Sequence, residues 1–111
     1  MAGRYLEIDK SILDEIVARI CASASPERII LFGSAATGEM NSDSDLDLLI
    51  LLDSPENPRL ESTRIRSELR GLGWPIDVLV MDKDRFEQTK SLVGGLAYPA
   101  NKYGQVLYAV S

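Results

Sequence analysis

Residues 28–52 read RIILFGSAATGEMNSDSDLDLLILL, and the division of this stretch decides the fold. Residues 28–32 (RIILF) are a short apolar run closed by glycine, the pattern of a buried strand. Residues 45–52 (DLDLLILL) open with alternation and continue as a solid apolar run, which predicts a central strand covered on both faces. Between them Gly33-Ser34 starts a long turn, with residues 35–44 small and polar.

Upstream, Ile12, Leu13, Ile16, Val17, Ile20 and Cys21 recur as adjacent pairs at i, i+4 and i+8, so residues 9–24 form an amphipathic helix. Asp9 is its expected N-cap and Ser25-Pro26 its stop. Cys21 is expected to pack within that face. Downstream, DSPENP (53–58) is a loop and 59–72 a helix with Leu60, Leu69 and Leu72 turned inward, ended by Gly71 and Gly73. IDVLVM (76–81) is a third strand, and 83–90 a short helix capped by Asp82. Residues 91–104 form a helix-and-turn segment interrupted by Pro99, and VLYAV (106–110) a last strand.

This order implies an α/β (α+β) layer structure in one domain spanning 1–111. A strand–helix–strand connection is normally right-handed and parallel, so 45–52 and 76–81 run parallel. Both carry aspartate at their N-terminal ends, which brings Asp45, Asp47 and Asp77 to one edge of the sheet. Gly33-Ser34 stands at the C-terminal end of its own strand. It reaches that edge only if the first strand is antiparallel to the other two, so the sheet is mixed. A doubly wound dinucleotide fold, with its ligand beyond the carboxyl ends of parallel strands, is disfavoured.

Composition narrows the chemistry. The 111 residues are 45% apolar and carry a formal charge of −5, with one cysteine and no histidine. The lone Cys21 excludes an intrachain disulfide. The absence of histidine removes imidazole general bases, Ser-His-Asp triads and histidine-ligated zinc. Any metal must be held by oxygen, which favours Mg²⁺, Mn²⁺ or Ca²⁺. The acidic balance argues against direct DNA binding but not against a nucleotide whose charge a metal offsets. There is no membrane-length apolar run and no signal-peptide pattern at the start of this sequence, so the chain reads as cytoplasmic.

Asp45 and Asp47 carry the strongest chemical signal. Residues i and i+2 of a strand share a face, and two adjacent carboxylates at the end of a core strand are costly without a cation. Mg²⁺ prefers one or two carboxylates with water and phosphate oxygens. Two such ions can hold the attacking and leaving oxygens of a phosphoryl displacement. Gly33 lets the backbone turn and approach a ligand, and the Ser34 hydroxyl can bond a phosphate oxygen. Asp77, between Ile76 and Val78, reads as a third metal ligand and the candidate base for an attacking hydroxyl, or else as an edge-strand carboxylate in water. Asp43 shares the parity of the pair but falls in the turn. Arg59, Arg64, Arg66 and Arg70 are interleaved with glutamates on one helix, a solvated salt-bridged face or a docking surface for an acidic partner. Trp74 and Tyr108 are packing residues.

Gly33-Ser34, Gly38, Ser44-Asp45-Leu46-Asp47-Leu48 and the distant Asp77 together resemble the DNA polymerase β-type nucleotidyltransferase superfamily. The minimal nucleotidyltransferases are the most similar, and the ending Tyr103-Gly104-Gln105-Val106-Leu107-Tyr108 is also like theirs. The resemblance spans residues 12–108. It implies a mixed sheet with helices packed around it. It also implies Gly33, Ser34 and Ser44 as nucleotide contacts, and Asp45, Asp47 and Asp77 as metal-binding and catalytic carboxylates holding two Mg²⁺ (Mn²⁺ as the alternative). The implied activity transfers a nucleoside monophosphate from a triphosphate, with ATP the expected donor, to a hydroxyl. Minimal members often stand beside a HEPN-domain partner and act as antitoxins, some by adenylylating a tyrosine of the toxin. The sequence departs from the pattern where many relatives carry arginine after the Gly-Ser pair, since Ala35, Ala36 and Thr37 stand there. Loss of those cations weakens the grip on a triphosphate. Two further readings stay open: a binding module that neutralises its partner by contact, and a nucleotide sensor without transfer.

Overall fold

The computed structural model describes residues 8–37 and 45–110. Helix α1 (Lys10–Ser23) leads into strand β1 (Arg28–Phe32), short helix α2 (Ser34–Thr37), strand β2 (Leu46–Leu52) and helix α3 (Pro58–Ser67). Strand β3 (Ile76–Asp82), helices α4 (Lys83–Thr89) and α5 (Ala97–Tyr103), and strand β4 (Gln105–Ala109) complete the order. The sheet runs β3-β2-β1-β4. β1 is antiparallel to both β2 and β4, and β2 is parallel to β3. The expected mixed sheet is therefore present.

β2 is buried from Leu48 through Leu52 because helices cover both faces of the sheet. On one face Leu46, Leu48, Ile50 and Leu52 meet Ile16 and Ile20 of α1, Ile65 of α3, and Leu69 just beyond it. On the other, Leu49, Leu51 and Ile30 meet Phe86 of α4 and Ala97 and Ala100 of α5. Each buried leucine or isoleucine contributes about 1.5–3 kcal/mol of transfer free energy, so these two layers dominate the stability. They also fix register, because a one-residue slip of β2 would exchange its two faces.

Helix ends are held by identifiable groups. The Asn57 side chain accepts from Leu60 N at 3.1 Å, with Pro58 at the first helical position. Asp82 caps α4 by accepting from Arg85 N. Asp9 precedes α1, but its side chain makes no capping bond. α1 and α3 also secure each other. Arg19 Nη1 donates to the carbonyls of Glu68 (3.3 Å) and Arg70 (2.8 Å), and Arg64 Nη1 donates to the Ser23 carbonyl (2.7 Å). These guanidiniums satisfy carbonyls that a helix end leaves without intrahelical partners.

Four expectations need correction. Cys21 is exposed, because Ile16 and Ile20 set the phase of α1 and the next position rotates out of the face. Leu60 is 63% exposed, and Ile65 of α3 with Leu69 just beyond the helix packs inward instead. α3 ends at Ser67, well before Gly71 and Gly73, which take positive φ in the turn back to β3. Pro99 does not interrupt a helix; it sits in the first turn of α5, where its missing N–H costs nothing. Among the described residues no helix is long and apolar enough to cross a membrane.

Candidate active site

β1 delivers its glycine to the same sheet edge as the aspartates. Phe32 is the register partner of Asp47, and Asp47 in turn is the partner of Asp77. The turn at Gly33, Asp47 and Asp77 thus lie side by side across β1, β2 and β3. Asp45 stands immediately before β2, exposed, and the strand itself begins at Leu46. Gly33 has φ +75°, a left-handed conformation that favours glycine. A Cβ built there would lie 2.5 Å from Asp47 Oδ2 and 3.4 Å from its Cγ. The backbone therefore reaches the carboxylate only because position 33 has no side chain.

The other two acids act on Asp47. Burial pushes the Asp47 carboxyl above its ordinary range, and the charges of Asp77 and then Asp45 push it further in the same direction. A divalent cation would relieve both effects. Among the described residues, no three acidic, cysteine or histidine side chains are arranged as a ready-made metal cage. An open oxygen set of this kind suits Mg²⁺, which keeps waters and completes its shell with phosphate oxygens. Of the expected nucleotide contacts, Gly33 and Ser34 stand at the edge, the latter starting α2. Ser44 lies outside the described residues, as do Gly38 and Asp43.

Two features of the site were not singled out from sequence. Gln105 Nε2 donates to the Ala36 carbonyl at 3.0 Å and so ties α2 to the start of β4. Its position in the Tyr103–Tyr108 ending was the available signal. The second feature is a cleft of about 380 Å³ beside β3, lined by Asp45 and Asp77 together with Arg66, Arg70 and Trp74. Three of the four arginines of the α3 region thus divide. Arg64 pairs with Glu61 and holds Ser23, while Arg66 and Arg70 face the cleft that contains the acids. Trp74 packs against the core, as expected, and also lines this cleft.

Comparison with known proteins bears on the fold and the family. Three solved structures share the fold. A crystal structure of a toxin-antitoxin with AMP-PNP matches at TM-score 0.68 and 17% identity, covering 89% of this chain and 74% of that one. A crystal structure of a toxin-antitoxin MntA-HpeT mutant matches at 0.67 and 14%, with the same coverage. A proposed nucleotidyltransferase from Sulfolobus solfataricus matches at 0.60 and 21%, covering 89% of this chain and 78% of that one. No curated protein matches the sequence. The family model described as the nucleotidyltransferase domain matches residues 13–98, which include Gly33, Ser34 and all three aspartates, and the chain belongs to that family.

Proposed function

We propose that the protein is a Mg²⁺-dependent nucleotidyltransferase that moves AMP from ATP to a hydroxyl of a partner protein, within a toxin–antitoxin pair. The carrying observation is the register that sets the Gly33 turn beside Asp47 and Asp47 beside Asp77. Asp45, Asp47 and Asp77 would hold the metal, which supplies positive charge against the phosphates. The Gly33-Ser34 turn, with Ser44, takes the phosphate side. Asp77, on the edge strand, accepts the proton of the attacking hydroxyl. The acceptor oxygen bonds to the α-phosphorus, the bond from that phosphorus to the bridging oxygen breaks, and pyrophosphate leaves. Two of the structural neighbours are toxin-antitoxin crystal structures, one of them with AMP-PNP, which supports ATP as donor and a toxin as acceptor. The favoured acceptor is a tyrosine of a HEPN-type toxin.

The test is transfer of label from ATP radiolabelled at the α-phosphate, with Mg²⁺ and the product of the neighbouring gene, by wild type and Asp47→Ala. Label on the neighbour with wild type alone supports the proposal. Equal labelling by the variant refutes it. A second reading is favoured by Ala35, Ala36 and Thr37, where cationic residues would strengthen a triphosphate site. In that case the protein neutralises its partner by contact, and Asp47→Ala neutralises as well as wild type without any transfer.

A further inference from the structure

Arg66 lies in the last turn of α3 and Arg70 in the turn that follows, and both are exposed. They line the cleft beside β3 and also an adjoining depression that includes Thr63 and Ser67. Two other arginines of the α1–α3 layer are fully engaged in holding the fold. Arg19 bonds Glu15 and two carbonyls, and Arg64 bonds Glu61 and a third carbonyl. Neither Arg66 nor Arg70 forms an ion pair or a side-chain hydrogen bond with a described residue, although Asp45 and Asp77 share their cleft. Their charge is uncommitted.

The position of the cleft narrows what that charge serves. The sheet order puts β3 at the edge, with Asp77 on it and Gly33 two strands away at the end of β1. The cleft lies on the Asp77 side. In an in-line displacement the attacking and leaving oxygens stand on opposite sides of the phosphorus. If the leaving pyrophosphate is at the Gly33 turn, the acceptor enters from the cleft. An acceptor arriving there meets two carboxylates, Asp45 and Asp77, on a chain of charge −5, and two guanidiniums with an indole beside them. Guanidinium pairs bind carboxylates in a bidentate fork, and such charge complementarity selects partners more than it adds raw affinity. A polynucleotide needs many of its phosphates neutralised along its length and finds only two cations here, whereas a short segment with two carboxylates needs no more than two.

We propose that Arg66 and Arg70 bind an acidic peptide segment that carries the acceptor hydroxyl, holding its carboxylates while the hydroxyl reaches Asp77. This deepens the transferase reading and rests on it for the acceptor role. Atoms balance as before: the peptide oxygen bonds to the α-phosphorus, its proton passes to Asp77 and pyrophosphate departs.

The experiment uses the full chain and three fluorescent probes: a short peptide with one tyrosine flanked by glutamates, the same peptide with lysines, and an oligonucleotide ending in a free 3′ hydroxyl. Anisotropy is measured with wild type, Arg66→Glu/Arg70→Glu and the milder Arg66→Gln/Arg70→Gln, with circular dichroism confirming that each is folded. Wild type is expected to prefer the glutamate peptide about tenfold over the lysine peptide, and the charge reversal to invert that preference. Equal affinity of wild type and charge-reversed protein for the glutamate peptide overturns the proposal. So does tighter, arginine-dependent binding of the oligonucleotide, or loss of MgATP binding in the variants with peptide affinity unchanged. Selective peptide binding without any label transfer by wild type supports the acidic-peptide site and counts against the transferase reading, so the two fail separately.

Discussion

Gly33 and Asp47 are in such close approach that the space for a β-carbon at position 33 is taken by the Asp47 carboxylate, 2.5 Å away at Oδ2. The turn and this acid are therefore one unit, and the φ of +75° at Gly33 fixes how they meet. Gly33→Ala places a methyl group on that oxygen and strains the backbone. It is expected to cost about 1–3 kcal/mol of stability. Displacing the carboxylate by about 1 Å is expected to lower transfer about a hundredfold. Thermal melting and the labelled-ATP assay measure the two effects, and transfer at the wild-type rate would show that this contact does not shape the site.

Asp47 also gives the protein a specific pH dependence. Its pKa in the folded state is raised above 3.8 by burial and by Asp77 and Asp45. The folded chain then binds a proton more tightly than the unfolded chain. This contribution to stability is fully present below the ordinary carboxylate range and is lost as pH rises through the raised pKa. Asp47→Asn removes the charge and should melt higher than wild type at neutral pH without metal, while losing transfer. The difference between the two should shrink toward pH 3 and should narrow again when Mg²⁺ is added to wild type. A variant melting below wild type at neutral pH would contradict the assignment.

Much of this site was legible because two strand patterns and one topological rule converge. The i, i+2 spacing of Asp45 and Asp47 before an apolar run identified the acidic end of β2. The crossover rule then put Asp77 beside it, and the need to bring Gly33 to the same edge required an antiparallel β1. The last two survive as the observed pairings of Phe32, Asp47 and Asp77, while Asp45 stands just before β2 and outside them. Helix phase was less legible. Leu60 looked equivalent to Leu69 and Leu72 by hydrophobicity alone, but Asn57 and Pro58 fix where α3 starts, so Leu60 is exposed while Ile65, Leu69 and Leu72 pack on the core. The roles of Arg66 and Arg70 depend on how Gly71 and Gly73, at φ +83° and +86°, turn the chain back into β3. A linear pattern of alternating charge does not contain that path.

Gly104 is the second position where absence of a side chain is required, and here it serves the core. Its φ is ordinary, −77°, so the constraint is steric. A β-carbon would collide with the Ala100 carbonyl oxygen, approach Ile30 Cγ2 to 2.6 Å, and lie 3.1 Å from the Leu31 carbonyl oxygen. The first and third of these atoms are backbone and cannot rotate aside. Gly104→Ala should push α5 and β4 away from β1, destabilising by about 1–3 kcal/mol as an overpacked core does. Chemical denaturation would measure this, and a shift below about 0.5 kcal/mol, the range of neutral surface changes, would exclude the steric account.

Gln105 is predicted to be a positioning residue for the nucleotide turn. It follows Gly104 at the start of β4, and its amide reaches across to the Ala36 carbonyl at 3.0 Å, so it restrains α2 just behind Gly33-Ser34. The bond is exposed, and an exposed hydrogen bond of this kind is worth only about 0.5–1.5 kcal/mol to folding. Its value lies in where it holds the turn. Gln105→Ala should lower the melting temperature by only a few degrees while the turn loses its restraint. If the turn contacts phosphate, KM for ATP then rises several-fold while kcat at saturating ATP is retained, the mark of lost ground-state binding. Gln105→Asn, too short to span the gap, should behave like the alanine variant. A fall in kcat with KM unchanged would instead assign Gln105 to the chemical step, and no kinetic change in either variant would show that α2 keeps its place without it.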